Sequence, residues 1–171
     1  LTLACRQALA SAYATAGRYE DAVSLLNEVV TIRAKQNKPD EPSVLLAREE
    51  LANTHFIASD YESAAPIYES VLEARRANPD HRNQGIPEVL SNLADTYQQL
   101  GREEEAEALV QEALDLSVAT FGDDHQMTYR TRTRFAMILS ENGENERAVM
   151  HLEESVAGLK NSLGLSHHST L

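Results

Sequence analysis

The sequence predicts an all-α protein, a solenoid of stacked helix-turn-helix units. Three observations carry this expectation. A phrase recurs with a constant spacing of 42 residues: Ala22, Ala64, Ala106 and Ala148 close the runs GRYEDA, SDYESA, GREEEA and GENERA. A large apolar residue followed by alanine precedes each phrase, as Leu9-Ala10, Leu51-Ala52, Leu93-Ala94 and Phe135-Ala136. No insertion disturbs the register across the four copies. A fixed period in this range marks a protein whose repeats bury their apolar faces against neighbours.

The helices follow in chain order. The first, over 2–16, puts Leu9, Ala10 and Tyr13 on one face and stops at Gly17, where a left-handed residue is wanted. The second, over 19–36, carries Ala22, Leu26, Val29 and Val30 at i, i+4, i+7 and i+8, an apolar stripe for one buried face. The third spans 43–58 around Leu51-Ala52 and ends at Ser59-Asp60. The fourth, over 61–77, enters through Ala64. The fifth, over 87–100, repeats the first with Leu93, Ala94 and Tyr97 before Gly101. The sixth, over 103–120, repeats the stripe as Ala106, Val110, Ala113 and Leu114. The seventh, over 125–141, holds Phe135, Ala136 and Leu139, and Gly143 ends it. The eighth, over 145–162, has Ala148 and places Ser155 in its stripe. Paired alanines such as Ala10 and Ala22 let the two helices of a hairpin approach closely. Pro and Asp gather between units, where Asp40, Asp124 and Ser166 stand as candidate N-caps. Asn78 to Pro87 is the longest irregular stretch.

The units run about 1–42, 43–84, 85–126 and 127–165, with the stub of a fifth over 166–171. Together they are expected to form one repeat domain over 1–171, excised from a longer chain. The formal charge of −12 argues against nucleic acid, whose phosphates need a basic face. It suits a soluble protein and biases partner choice toward basic surfaces. No apolar run reaches the roughly 20 residues that cross a bilayer. One cysteine, Cys5, excludes an internal disulfide. With no signal peptide visible, the expected compartment is the cytoplasm.

A small residue after Leu, an aromatic three residues on, a Gly turn and the recurring Ala resemble the tetratricopeptide repeat family. The 42-residue period, with Phe121-Gly122-Asp123-Asp124-His125 and Leu163-Gly164-Leu165-Ser166-His167 between units, resembles its kinesin-light-chain type. Unit two departs from the pattern with Ser59-Asp60 for Gly and His55 for Tyr. Unit four departs with Leu139 and Ser155, which implies looser packing there. The resemblance implies a superhelix whose first helices line a concave groove for a peptide or partner segment. Carried over position by position, the groove takes Ala4, Gln7 and Ser11, then Leu46, Glu49, Asn53 and Phe56. It continues with Glu88, Ser91, Asn92, Asp95 and Gln98, then Arg130, Thr133, Arg134 and Met137.

Arg130 and Arg134 lie one turn apart on a helix face, with Arg132 beside them. With Asn53 and Asn92 they resemble the carboxylate clamp of some tetratricopeptide domains, in which guanidiniums grip a carboxylate bidentately. Glu49 stands where that clamp has Lys, and a carboxylate there repels an anionic ligand. The competing reading is that the arginines are solvated or paired with neighbouring glutamates. His125 and His167 recur at the repeat spacing, but stacked helices set equivalent places about 10 Å apart. A shared ion needs bonds of about 2 Å, so helix-start packing is the expected role. Cys5 lies on an apolar-leaning face and reads as core. No nucleophile elbow, H-E-x-x-H or Gly-rich phosphate loop is present, and no cofactor is implied. The expected function is protein or peptide binding without catalysis, as a regulatory part of a larger protein. The alternative is a structural spacer or self-association module with an empty groove.

Overall fold

The structure, a computed structural model, describes residues 2–77 and 85–163, with side chains to residue 159. Eight α-helices occupy the described residues, and no strand is found among them: α1 Leu3–Thr15, α2 Tyr19–Gln36, α3 Pro42–Ile57, α4 Tyr61–Ala77, α5 Ile86–Gln99, α6 Glu103–Phe121, α7 Gln126–Glu141 and α8 Asn145–Leu163. The chain divides into two compact units, Leu1–Arg82 with α1 to α4 and Asn83–Leu171 with α5 to α8.

One device ends the first helix of every repeat. Gly17, Gly101 and Gly143 take φ of 74°, 73° and 85°, and Ser59 takes 60°. The amide that follows each then donates back to the carbonyl five residues before it, Arg18 to Tyr13 at 2.8 Å, Asp60 to His55 at 2.9 Å, Arg102 to Tyr97 at 2.9 Å and Glu144 to Leu139 at 2.8 Å. This closure satisfies carbonyls that the helix end leaves orphaned. A left-handed backbone is what makes it possible, which is why glycine stands at three of the four positions.

In the first unit Ala10, Ala22, Leu26 and Leu51 form a buried cluster, with Tyr13, Val30 and Ile67 packed against it. Leu51 of α3 thus completes the core of the α1–α2 hairpin, as expected where each pair buries its stripe against the next. In the second unit α6 presents the buried stripe Val110, Ala113 and Leu114, and α7 packs on α6 with Phe135, Ala136 and Leu139 also buried. Ala10, Ala22, Ala52, Ala94 and Ala106 have no solvent-accessible surface, so the close approach expected of them is present.

Three expectations need correction. Asp40 does not cap α3: Glu41 holds the N-cap place without a side-chain bond, because Pro42 starts the helix with its fixed φ. Asp124 does not cap α7. Its carboxylate accepts from the Tyr129 hydroxyl at 3.0 Å, and the N-cap is His125, whose Nδ1 accepts from the Met127 amide at 3.1 Å. The same imidazole stacks on Phe121 at 4.9 Å between centroids, so helix-start packing is its role. Cys5 is exposed rather than core. Its repeat equivalents Ala47, Val89 and Thr131 are all buried, whereas that face of α1 carries no helix among the described residues. Ser166, His167 and the fifth-unit stub lie outside the described residues, as does Asn78 to Gln84 of the irregular stretch.

Candidate protein-interaction face

Each unit brings two first helices together, and their polar side chains meet at close to the repeat spacing. In the first unit Gln7 of α1 donates to Glu50 of α3 at 2.7 Å. Arg33 reaches in from α2 to the Gln7 side-chain oxygen Oε1 at 2.6 Å and to the Ser43 backbone carbonyl at 2.5 Å. One repeat later Arg75 of α4 does the same to Glu49, through Nε at 3.0 Å and a short Nη2 contact. The Glu49 carboxylate is therefore neutralised by a guanidinium that the sequence reading did not link to it. The repeat itself holds the missed signal, since Arg33 and Arg75 stand 42 residues apart, as do Gln7 and Glu49. Asn53 is exposed and accepts from the Tyr68 hydroxyl. Phe56 is half-buried, edge-on to Tyr61 at 5.3 Å. Ala4, Ser11 and Leu46 are exposed.

In the second unit α5 and α7 supply the face. Arg134 donates to the Asn92 amide oxygen at 3.0 Å and pairs with Asp95 at 3.1 Å. Arg130 reaches Glu88 at 3.9 Å, with 57% of its side chain exposed. At 3.9 Å between exposed groups the attraction is about 1 kcal/mol or less. The pocket between the helices is lined by Glu88, Ser91, Met127, Arg130, Thr131 and Arg134. Ser91 itself is buried and turns its hydroxyl back to the Pro87 carbonyl. Thr133 is exposed and likewise bonded to the Tyr129 carbonyl. Met137 is 58% exposed, one turn beyond Arg134. Gln98 closes the row by donating to Asn142 at 2.8 Å.

Arg132 is not part of this cluster. Residues two apart on a helix do not face each other, and Arg132 is buried, pairing with Asp123 at 2.9 Å and Glu154 of α8 at 3.5 Å. Asp95 has an unusual balance. Burial raises its carboxyl above the usual range, against the lowering influence of Arg134, and Glu141 adds to the rise. Among the described residues no three His, Cys, Asp or Glu side chains gather as metal ligands, and no helix is long and apolar enough to cross a membrane.

The tetratricopeptide repeat family model matches residues 1–77 and 85–161. No curated protein matches in sequence. Among solved structures, BtubC (BKLC) from P. vanneervenii is similar with a TM-score of 0.80 and 22% identity, over 95% of this chain and 63% of that one. The chain thus spans less than two thirds of that protein's length. MamA 41-end from Desulfovibrio magneticus RS-1 is similar at 0.68 and 16%, over 94% and 77%. A putative kinesin light chain with TPR-like repeats from Podosopora anserina aligns at 0.44 and 22%, over 94% and 96%. The chain belongs to the tetratricopeptide repeat family.

Proposed function

We propose that the chain binds a segment of a partner protein along its first-helix face, without catalysis of its own, as a regulatory part of a larger protein. One observation carries the reading in the second unit. Arg130 and Met137, on the same side of α7, are more than half exposed, while Arg134 between them is held by Asn92 and Asp95. A cation with a weak partner beside an apolar side chain suits a partner residue that is acidic next to one that is apolar. Arg134 then acts as a fixed rim and Arg130 as the group that swings to the ligand. The chain's net negative charge opposes long-range capture of an acidic segment, so affinity is modest and selectivity comes from register.

Selection of a random peptide library on the 171-residue chain, followed by titration of the enriched peptides, tests the reading. Arg130→Ala and Met137→Ala should each weaken binding by about threefold to tenfold, in line with partly exposed contacts. Equal affinity for both variants and the native chain would remove this face from the site.

A further inference from the structure

Two side chains of α3 break a pattern that the other first helices keep. Leu46 and Ile57 are 56% and 57% exposed. The places equivalent to Leu46 hold Ala4, Glu88 and Arg130, and those equivalent to Ile57 hold Thr15, Gln99 and Glu141, all of them exposed. Both places therefore face solvent in every repeat, and only α3 puts a large aliphatic side chain at each. Single apolar residues at a surface are ordinary, but these two are aligned. Eleven residues separate them, three helical turns to within about 20°, so they stand on one side of α3 about 16 Å apart. Exposed Asn53 lies between them on the same line.

The charges beside this strip cancel. Glu49 and Glu50 flank it, while Arg48 and His55 point to the opposite side of α3 by the helical period. Arg75 holds Glu49 at 3.0 Å, and Glu50 accepts from Gln7, which in turn accepts from Arg33 at 2.6 Å. Two guanidiniums thus balance two carboxylates. We propose that this strip of the first unit takes a helix of the partner, with uncharged apolar residues eleven apart and an uncharged polar residue between them to meet Asn53. The inference rests on the reading that a partner segment lies along the first-helix face, and it names the form of that segment. Spacing selects the helix, because a helix laid along α3 brings its own side chains into line at the same interval. An extended segment advances about 3.3 Å per residue, so five steps cover the distance, and an odd number turns the two side chains to opposite faces. Neutrality selects the uncharged face: a charge brought against matched ion pairs loses water and gains no partner.

Random peptides about 18 residues long, five helical turns, are selected in parallel on the native 171-residue chain and on Leu46→Ala/Ile57→Thr. That variant carries the residue types that α1 already has at these places, so its helical circular dichroism should be unchanged. Peptides retained by the native chain alone should carry apolar residues eleven apart and gain helical circular dichroism on binding. Either single substitution should weaken them by about fivefold to tenfold. Their affinity should hold from about 0.05 to 0.5 M salt, since no charge pair forms. Strip-dependent peptides whose apolar residues alternate, with no gain of helix, would overturn the proposal. So would a mass that rises with protein concentration in the native chain and not in the variant, which would give the strip to a second copy. Peptides that depend on Arg130 and Met137 and ignore Leu46 and Ile57 would refute this inference and leave the first-helix reading standing. Dependence on none of the four would remove both.

Discussion

The His55 imidazole and the Asp60 carboxylate stand 2.8 Å apart, where the first and third repeats place a tyrosine under an arginine. In the first repeat Arg18 lies 4.2 Å from the Tyr13 ring centre, and in the third Arg102 lies 3.5 Å from that of Tyr97. Each arginine is also held by the carboxylate three residues on, Asp21 or Glu105. His55 and Asp60 are thus a joint replacement: the aromatic face became an imidazole, and the cation became an anion that also accepts from the Ser63 amide at 3.3 Å. His55→Tyr or Asp60→Arg alone should destabilise the chain. The double variant should recover about 1 kcal/mol relative to the sum, as a restored cation–π pair, measured by a denaturant double-mutant cycle.

Acid titration should separate two aspartates with opposite signs. Asp60 is held below the usual carboxylate range, first by its Ser63 hydrogen bond and then by His55. Its contribution is complete above the unfolded value and disappears as pH falls through the lower folded one. Asp95 is displaced upward by burial, so it opposes folding fully above its folded value, and the opposition fades as pH falls from that value through the lower unfolded one. Side-chain carboxyl NMR should place the Asp60 midpoint below the ordinary range and that of Asp95 above it. Asp95→Asn should abolish the gain on acidification, and Asp60→Asn should lessen the loss.

Ser59 carries the left-handed backbone that glycine carries in the other three turns. A non-glycine residue there costs about 1–2 kcal/mol, partly offset by the greater entropy that glycine loses on folding. Ser59→Gly should raise stability by about 0.5–1 kcal/mol, read from the urea midpoint at constant m-value. No change would mean that the serine turn is unstrained.

Ala94 has no accessible surface where α5 meets α6. Ala94→Leu should overpack the hairpin and cost about 1–3 kcal/mol. An unchanged unfolding midpoint would refute the close approach.

Helix bounds were legible to within about one residue, because a left-handed turn residue and an alanine at fixed distance are local demands that the chain must meet. The interaction face was less so. Arg130 and Arg134 follow from helical spacing, yet spacing does not tell that Asp95 and Asn92 hold one of them while the other is nearly free. Arg132 shared the same short run and turned the opposite way. Cys5 sits at an apolar repeat position, and only the coordinates of its neighbours reveal that nothing described covers it. Burial depends on what packs against a face, which a residue's own sequence position does not encode.

The Arg134–Asp95 pair has a kinetic and ionic consequence. A partner that takes Arg134 must release Asp95, so binding there exchanges one ion pair for another and the number of pairs stays constant. Such a trade should be nearly blind to ionic strength, because the screening removed from one side reappears on the other. Arg130 should instead add a contact, giving a complex whose salt dependence reports a single guanidinium.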